Sequence, residues 1–136
     1  VLYCSNPGRH RVEKYTSDGK YLGSFGKAGD ATGMFCGCCN PVHLTYTSTG
    51  EIITSEKGNP RISCYSTDGE FRSLLLDNKT LGGGNTAFDV KIHGDKIFIA
   101  GNNMVTTYQY DKVLAAATAC TTCGVSNCPL RKGITI

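Results

Sequence analysis

The chain has 136 residues, enough for one ordinary domain with a hydrophobic core of its own. Charged residues make up only 18% of the chain while glycine fills 17 positions, a composition typical of a turn-rich β protein. The net charge is +3 and the basic residues are scattered without forming a run, so we expect no nucleic-acid partner. No apolar stretch approaches the ~18 residues of a membrane helix, so we expect no membrane span in this segment.

Two copies of one pattern dominate the first half of the chain. The segment 10–22 aligns without a gap with the segment 60–72, which places Arg11 opposite Arg61. Each copy has an arginine-led strand ending in tyrosine, a tight turn around Asp-Gly, and a returning strand. The two copies begin 50 residues apart (61 − 11), and a period of this length is typical of propeller blades and repeat arrays.

Two further strands are predicted between the copies, at Val42–Thr47 and Glu51–Ser55. A third, degraded copy follows, with strands at Phe88–Ile92, Asp95–Ala100 and Met104–Tyr108. The predicted strands therefore come in groups of three, four and three. This order is that of one complete four-stranded blade between two incomplete ones.

We therefore expect an all-β fold, a β-propeller built from four-stranded antiparallel blades. One complete blade and two incomplete ones are too few to close a ring, and they leave sheet edges open. The chain is therefore expected to form only the C-terminal part of a larger ring. Residues 1–112 would form the blades, and residues 113–136 a cysteine-rich tail without secondary structure. A missing upstream propeller segment or a protein partner would fill the open sides. The alternative is a small independent sandwich.

A longer motif runs through the first two groups of strands. It reads R-V-x-x-Y-x-x-D-G-x-x-L-x-x-F-G from Arg11 to Gly26, then continues through a glycine-rich loop to Phe35, Asn40-Pro41 and G-x-I-I at 50–53. This motif resembles the NHL repeat, and the resemblance extends over residues 9–109. It implies a propeller, commonly of six blades, that serves as a binding platform for protein or RNA. Some relatives carry a catalytic centre on the channel face. The cysteines depart from the family pattern.

The eight cysteines are the strongest chemical signal, and six of them form two clusters. The clusters are Cys36, Cys38 and Cys39 in the loop before Pro41, and Cys120, Cys123 and Cys128 near the C-terminus. Neighbouring cysteines pair with one another only under strain, so we expect partners in the other cluster. The predicted site is a metal site in which the tail cysteines are joined by one or more of the loop cysteines. The roles of Cys4 and Cys64 stay open, with Cys64 expected to be peripheral.

Three interpretations of this site compete. Cys-x-x-Cys followed by Cys-Pro partly matches iron–sulfur ligation, although the spacing from Cys123 to Cys128 differs from that of bacterial ferredoxins. The same half-site is usual for structural zinc. An even number of cysteines also fits disulfides in an exported protein, which predicts an extracytoplasmic or periplasmic location. An iron–sulfur cluster is the cofactor that we expect, with zinc or no cofactor as the alternatives.

No residues form a catalytic set that the sequence supports. His43 and Asp89 take equivalent places at the start of two strands, where His43 is expected to be a structural residue lining the channel. The glycine run 82–84 is predicted to be a turn between blades, since no helix follows it. Glu56 and Lys57 are predicted to form a solvated turn.

The predicted function is that of a non-catalytic binding or electron-transfer accessory module with a cysteine-ligated metal or iron–sulfur site. The first alternative is an exported protein-recognition module whose cysteines only form disulfides. An enzyme with its centre on the channel face is the third interpretation.

Overall fold

The computed structural model describes residues 1–121, which form three antiparallel sheets, one α-helix and a short 3-10 helix. The first sheet contains β1 (Leu2–Asn6), β2 (Arg11–Tyr15) and β3 (Tyr21–Phe25), with a short 3-10 helix, Pro7–Arg9, between β1 and β2. The second sheet contains β4 (His43–Tyr46), β5 (Ile52–Glu56), β6 (Arg61–Tyr65) and β7 (Phe71–Leu76). The third sheet contains β8 (Asp89–His93), β9 (Lys96–Gly101) and β10 (Met104–Gln109), and the helix α1 (Tyr110–Thr121) follows it.

The structure confirms the all-β fold class and the predicted grouping of strands into three, four and three. Within each sheet, strands that are neighbours in sequence are neighbours in space, and every pairing is antiparallel. The strands that the repeat predicted begin and end within a residue of the observed limits. The three sheets of residues 1–121 do not close into a ring, so the propeller itself stays a prediction.

One type of tight turn occurs three times and explains why these hairpins form where they do. Between β2 and β3, the amide of Thr16 donates to the carbonyl of Lys20 at 2.9 Å, and the amide of Gly19 donates to the carbonyl of Thr16 at 3.0 Å. The same two bonds recur in segments 47–51 and 66–70. Each turn places a glycine at positive φ, a conformation that other residues adopt only at a cost. The glycine that follows Asp18, Thr49 and Asp68 in the sequence therefore marks these three turns for a physical reason.

The second sheet is the centre of the packing, because every residue of β5 and β6 is buried. Successive side chains of a strand point to opposite faces, so Ile52 and Ile53 enter two different hydrophobic clusters. The cluster shared with the first sheet contains Val12, Phe25, Phe35, Ile52 and Tyr65. The cluster shared with the third sheet and α1 contains Ile53, Ile62, Cys64, Leu75, Leu76, Leu81, Phe88, Val90, Ile97, Ile99, Tyr108, Val113 and Ala117. The second sheet is therefore covered on both faces.

Neighbouring sheets meet along their first strands. β4 packs beside β8 and also contacts β1. Ser55, which is fully buried, donates from its hydroxyl to the carbonyl of Phe88 at 2.6 Å, and this bond joins the second sheet to the third. The sheets thus lie side by side, with the cysteine-bearing loop at one end of the second sheet.

The helix α1 departs from the predicted tail, which was expected to lack secondary structure from residue 113 onward. Val113 and Ala117 lie four positions apart, so they share one helix face, and both are buried. Leucine and alanine in this segment also favour a helix intrinsically. The helix packs on β7 and β10, which makes the start of the tail part of the core. No helix within residues 1–121 is long and apolar enough to cross a membrane.

Candidate thiol site

Asn40 sets the shape of the loop that carries Cys36, Cys38 and Cys39 between β3 and β4. Asn40 is 2% exposed. Its Nδ2 donates to the carbonyls of Cys36 at 2.8 Å and Lys57 at 2.9 Å, and its Oδ1 accepts from the amide of Lys57 at 2.8 Å. A buried amide that is satisfied at both ends ties the loop to the turn between β5 and β6. The cysteine loop therefore lies where β5 ends and β6 begins.

A buried ion pair supports the loop from inside the protein. Arg61 Nη2 lies 2.7 Å from Glu56 Oε2, and Arg61 Nε lies 3.2 Å from Glu56 Oε1, so the pairing is bidentate. The side chains are only 7% and 1% exposed. Arg61 Nη2 also donates to the carbonyl of Met34 at 2.8 Å. The prediction that Glu56 lies in a solvated turn is therefore wrong, because the arginine of the repeat folds over its carboxylate.

Cys36 contacts this ion pair. Its thiol donates to Glu56 Oε2 at 3.9 Å, and the residue is half-buried. The side chain of Cys36 therefore lies on the side of the loop that faces the buried ion pair. Cys36 therefore differs in environment from the two cysteines that follow it.

Cys38 and Cys39 form the exposed tip of the loop, with their Sγ atoms 2.8 Å apart. Cys38 is exposed and Cys39 is half-buried. The hydrogen bond to Cys38, and secondly burial, raise the pKa of the Cys39 thiol. His10, which follows β1 in the chain, donates from Nε2 to the carbonyl of Gly37 at 2.5 Å and so holds the tip from a second side. The two sulfurs are farther apart than the ~2.05 Å of a disulfide, and both cysteines are free in this structure.

The structure brings together only part of the predicted metal site. Cys38 and Cys39 are adjacent, and Cys36 lies in the same loop but faces Glu56. Cys120 falls in the last turn of α1, and its side chain, with the whole of Cys123 and Cys128, lies outside the described residues. In the part of the chain that the structure describes, no group of three or more His, Cys, Asp or Glu residues could hold a metal ion.

The helix starts at the opposite end of the sheets from the cysteine loop. The amide of Tyr110 donates to the carbonyl of Asp95, in the turn between β8 and β9, at 2.8 Å. This turn lies at the same end as the Asp-Gly turns, whereas the cysteine loop lies at the end where β5 meets β6. A helix of 12 residues is about 18 Å long, which is close to the length of one strand.

The remaining two cysteines have different surroundings. Cys4 is an exposed thiol on β1. Cys64 is 1% exposed and its sulfur lies 3.9 Å from the hydroxyl of Tyr110 at the start of α1. Burial raises the pKa of the Cys64 thiol to about 11. Cys64 lies on β6, the third strand of its sheet, where it was expected, and α1 covers it.

Three residues that hold the loop are absent from the site that the sequence predicts. Asn40 and Arg61 are visible in the sequence only as members of the repeat pattern. Nothing local connects His10 with Gly37, which is 27 positions away. The predicted equivalence of His43 and Asp89 agrees with the fold, since each begins the first strand of its sheet and His43 Nδ1 lies 3.8 Å from Asp89 Oδ1.

Comparison of the chain with protein-family models and with curated proteins finds no match.

Proposed function

We propose that the chain forms part of an NHL-type β-propeller and works as a non-catalytic binding module. Its functional site would be the loop between β3 and β4 that carries Cys36, Cys38 and Cys39, which we call the thiol loop. The observation that carries the proposal is the contact between Cys38 and Cys39, with sulfurs 2.8 Å apart at an exposed tip. The loop behind the tip is held by Asn40 and His10, so the two thiols are presented in a defined place. Pre-positioned ligands of this kind lower the cost of binding.

The repeat supports the NHL part of the proposal. Arg11 opens β2 and Arg61 opens β6, the strands that correspond in the two copies, and each arginine pairs with a nearby glutamate. Both strands have a register shift directly before the final tyrosine, between Lys14 and Tyr15 in one and between Cys64 and Tyr65 in the other, and β6 has a second shift between Ile62 and Ser63. Two copies that share this turn and this register shift are expected of two blades of one propeller.

The occupant that we propose for the thiol loop is a thiophilic metal, in the first place an iron–sulfur cluster and otherwise zinc. Cys38 and Cys39 supply two soft ligands side by side. The remaining ligands would come from Cys120, Cys123 and Cys128. An iron–sulfur cluster would give the module an electron-transfer role, whereas zinc would hold the tail to the propeller.

The test is metal analysis of the full chain purified under anaerobic, reducing conditions. We expect bound iron with acid-labile sulfide and visible absorption, or bound zinc without it. Cys39→Ser and Cys123→Ser should each lose most of the metal, while Cys4→Ser, which changes an exposed thiol outside the loop, should keep it. Metal-free wild-type protein, or unchanged metal content in both loop and tail variants, would contradict the proposal.

The second candidate is an exported recognition module whose cysteines form disulfides. The close approach of two thiols at the exposed tip favours it, because oxidation needs sulfurs within reach of each other. Protein prepared without reductant would then contain no metal. Its free-thiol count would fall to the number of unpaired cysteines, and Cys123→Ser would expose one more thiol.

The partner that we propose is a β-strand, supplied by an upstream propeller segment or another protein, that pairs with β1. In the second sheet, β4 pairs with the edge of β5, the strand that corresponds to β1. No strand of residues 1–121 occupies that place beside β1. Unpaired strand edges recruit other strands. Alkylation of the exposed Cys4 on this strand should slow when the partner is bound, and an unchanged rate in the complex would rule out this position.

A further inference from the structure

The thiol pair differs from every other cysteine that the structure describes. Cys36 contacts the ion pair, Cys64 is buried against Tyr110, and Cys4 lies on β1. Among the cysteines whose side chains the structure describes, only Cys38 and Cys39 bring two sulfurs together, and Cys38 is exposed to solvent. Access and a second thiol nearby are the two requirements of thiol–disulfide exchange.

We propose that Cys38 and Cys39 form a dithiol site that exchanges with small disulfides and closes reversibly into a Cys38–Cys39 disulfide. The inference rests on the proposed function in taking the thiol loop as the working site, but it needs no metal. The substrate class is a low-molecular-weight disulfide of the glutathione type.

The exchange takes place in two steps. The thiolate of Cys38 attacks one sulfur of the disulfide R–S–S–R, which forms a Cys38–S–S–R bond and releases RS⁻; RS⁻ takes up the proton that Cys38 lost. Cys39 then loses its proton and attacks the sulfur of Cys38, which breaks the mixed disulfide and releases the second RS⁻; this thiolate takes up the proton of Cys39. Two protein thiols are thereby oxidised, and one disulfide is reduced to two thiols.

The environment assigns the two roles. Cys38 is the exposed member of the pair, so it meets the incoming disulfide. Cys39 is half-buried and its sulfur lies against that of Cys38, so it is placed to attack the mixed disulfide once Cys38 has formed it. A bond between adjacent cysteines closes a small, strained ring, and strain makes a disulfide easier to reduce. The product is therefore an exchangeable bond rather than a permanent crosslink.

The test uses the full chain, freed of metal by a chelator, in glutathione buffers. The ratio of oxidised to reduced glutathione is kept constant while total glutathione is diluted tenfold. For a pair that closes internally, the protein's oxidised-to-reduced ratio is proportional to the concentration of oxidised glutathione divided by the square of the concentration of reduced glutathione. At a constant ratio of the two glutathione forms, tenfold dilution should therefore raise the protein's ratio about tenfold. A single thiol that only forms a mixed disulfide keeps the same ratio.

The bond is located in the variant Cys36→Ser. In this variant the tryptic peptide 28–57 contains no cysteines other than Cys38 and Cys39. When neither of them can be alkylated and the mass of the peptide shows no added group, the two are joined by a disulfide. Adding Cys38→Ser should leave Cys39 as a single thiol whose oxidised fraction does not respond to dilution, and circular dichroism checks that this variant is folded. Adding Cys4→Ser instead should leave the tenfold response unchanged.

Two results would overturn the inference. One is an oxidised-to-reduced ratio of peptide 28–57 that does not change on dilution. The other is a disulfide from Cys38 or Cys39 to Cys120, Cys123 or Cys128. Both readouts are taken on metal-free protein, whereas the proposed function is judged by metal content under reductant, so either can fail while the other stands.

Discussion

Arg11 and Arg61 occupy the same position in two copies of the repeat, but the protein buries only one of their ion pairs deeply. The side chains of Arg61 and Glu56 are 7% and 1% exposed, whereas those of Arg11 and Glu13 are 25% and 9% exposed. Removing one partner of a buried pair leaves an uncompensated charge, which is far more costly than losing a pair near water. Equivalent sequence positions therefore carry different energetic weight.

The first prediction compares Arg61→Met with Arg11→Met. We expect Arg61→Met to lower the free energy of unfolding by about 3–5 kcal/mol, because Glu56 stays buried without its partner. Arg11→Met should have a clearly smaller effect. Urea denaturation followed by circular dichroism measures both. Adding Glu56→Gln to Arg61→Met should recover part of the loss, and equal losses in the two single variants would show that the Arg61 pair is not special.

The second prediction concerns the pH dependence of stability at Cys64. Burial raises the pKa of its thiol from an ordinary value of 9 to about 11, so the folded protein holds this proton more tightly than the unfolded chain does. Below pH 9 both forms keep the proton and this stability is fully present. Between pH 9 and 11 the unfolded chain loses the proton first, and stability falls by on the order of 1.4 kcal/mol per pH unit.

The control for this prediction is Cys64→Ala. Urea midpoints at several pH values above 8 should show a shallower decline in the variant than in the wild type. Tyr110, whose pKa burial also raises, keeps a decline of its own in both proteins. Parallel curves for the two proteins would mean that the Cys64 thiol does not carry the effect.

At the scale of elements, the Asp-Gly turns show how two identical local structures acquire different roles. Gly19 and Gly69 have φ values of 90° and 88° in equivalent turns. A methyl group on Gly19 would meet no atom within 4 Å, whereas on Gly69 it would overlap the side chain of Phe25 at the end of β3. The turn at Gly69 is thus a contact between the first and second sheets.

The third prediction is that Gly69→Ala destabilises the protein more than Gly19→Ala does. Both variants force alanine into the left-handed region, at about 1–2 kcal/mol each. Gly69→Ala should lose about 1–3 kcal/mol more, because its methyl group overpacks the contact with Phe25. Urea denaturation of the two variants gives the difference. Equal losses would indicate that the first sheet moves away freely from this turn.

Local patterns predicted the strands well because the physical causes are local. Alternating side chains, the glycine turns and the repeat predict the limits of the strands to within one residue of the observed limits. The burial of Glu56 was not predictable in this way, since it depends on how Arg61 folds across the turn. The helix α1 was missed because its buried face exists only against β7 and β10. The contact from His10 to Gly37 joins residues that no sequence pattern relates.

At the scale of the whole molecule, the second sheet is enclosed and the other two sheets are each covered on one side only. Among residues 1–121, no exposed large hydrophobic side chain lies on β5 or β6: Tyr46 and Phe71 lie on the outer strands of the second sheet, and the other six belong to the first and third sheets or precede β1, namely Val1, Leu2, Tyr21, Leu22, Met104 and Val105. The first and third sheets therefore have faces or edges that an additional blade or partner would cover. The second sheet already has its neighbours on both sides.

The enclosure of β5 and β6 also determines how the protein opens. Amide hydrogens exchange with solvent only when local or global opening exposes them, and the deepest segments require the largest opening. The fourth prediction is that the amides of β5 and β6 exchange slowest in deuterated water, and that those of β1 and β10 exchange earlier by local opening at the sides. Mass spectrometry of the exchanging protein measures this order. Uniform protection across the ten strands would instead mean that all three sheets open as one cooperative unit. The predicted gradient means that β1 and β10 can open to pair with a partner while β5 and β6 stay folded. The thiol loop would then stay in place, because Asn40 bonds it to Lys57 at the end of β5.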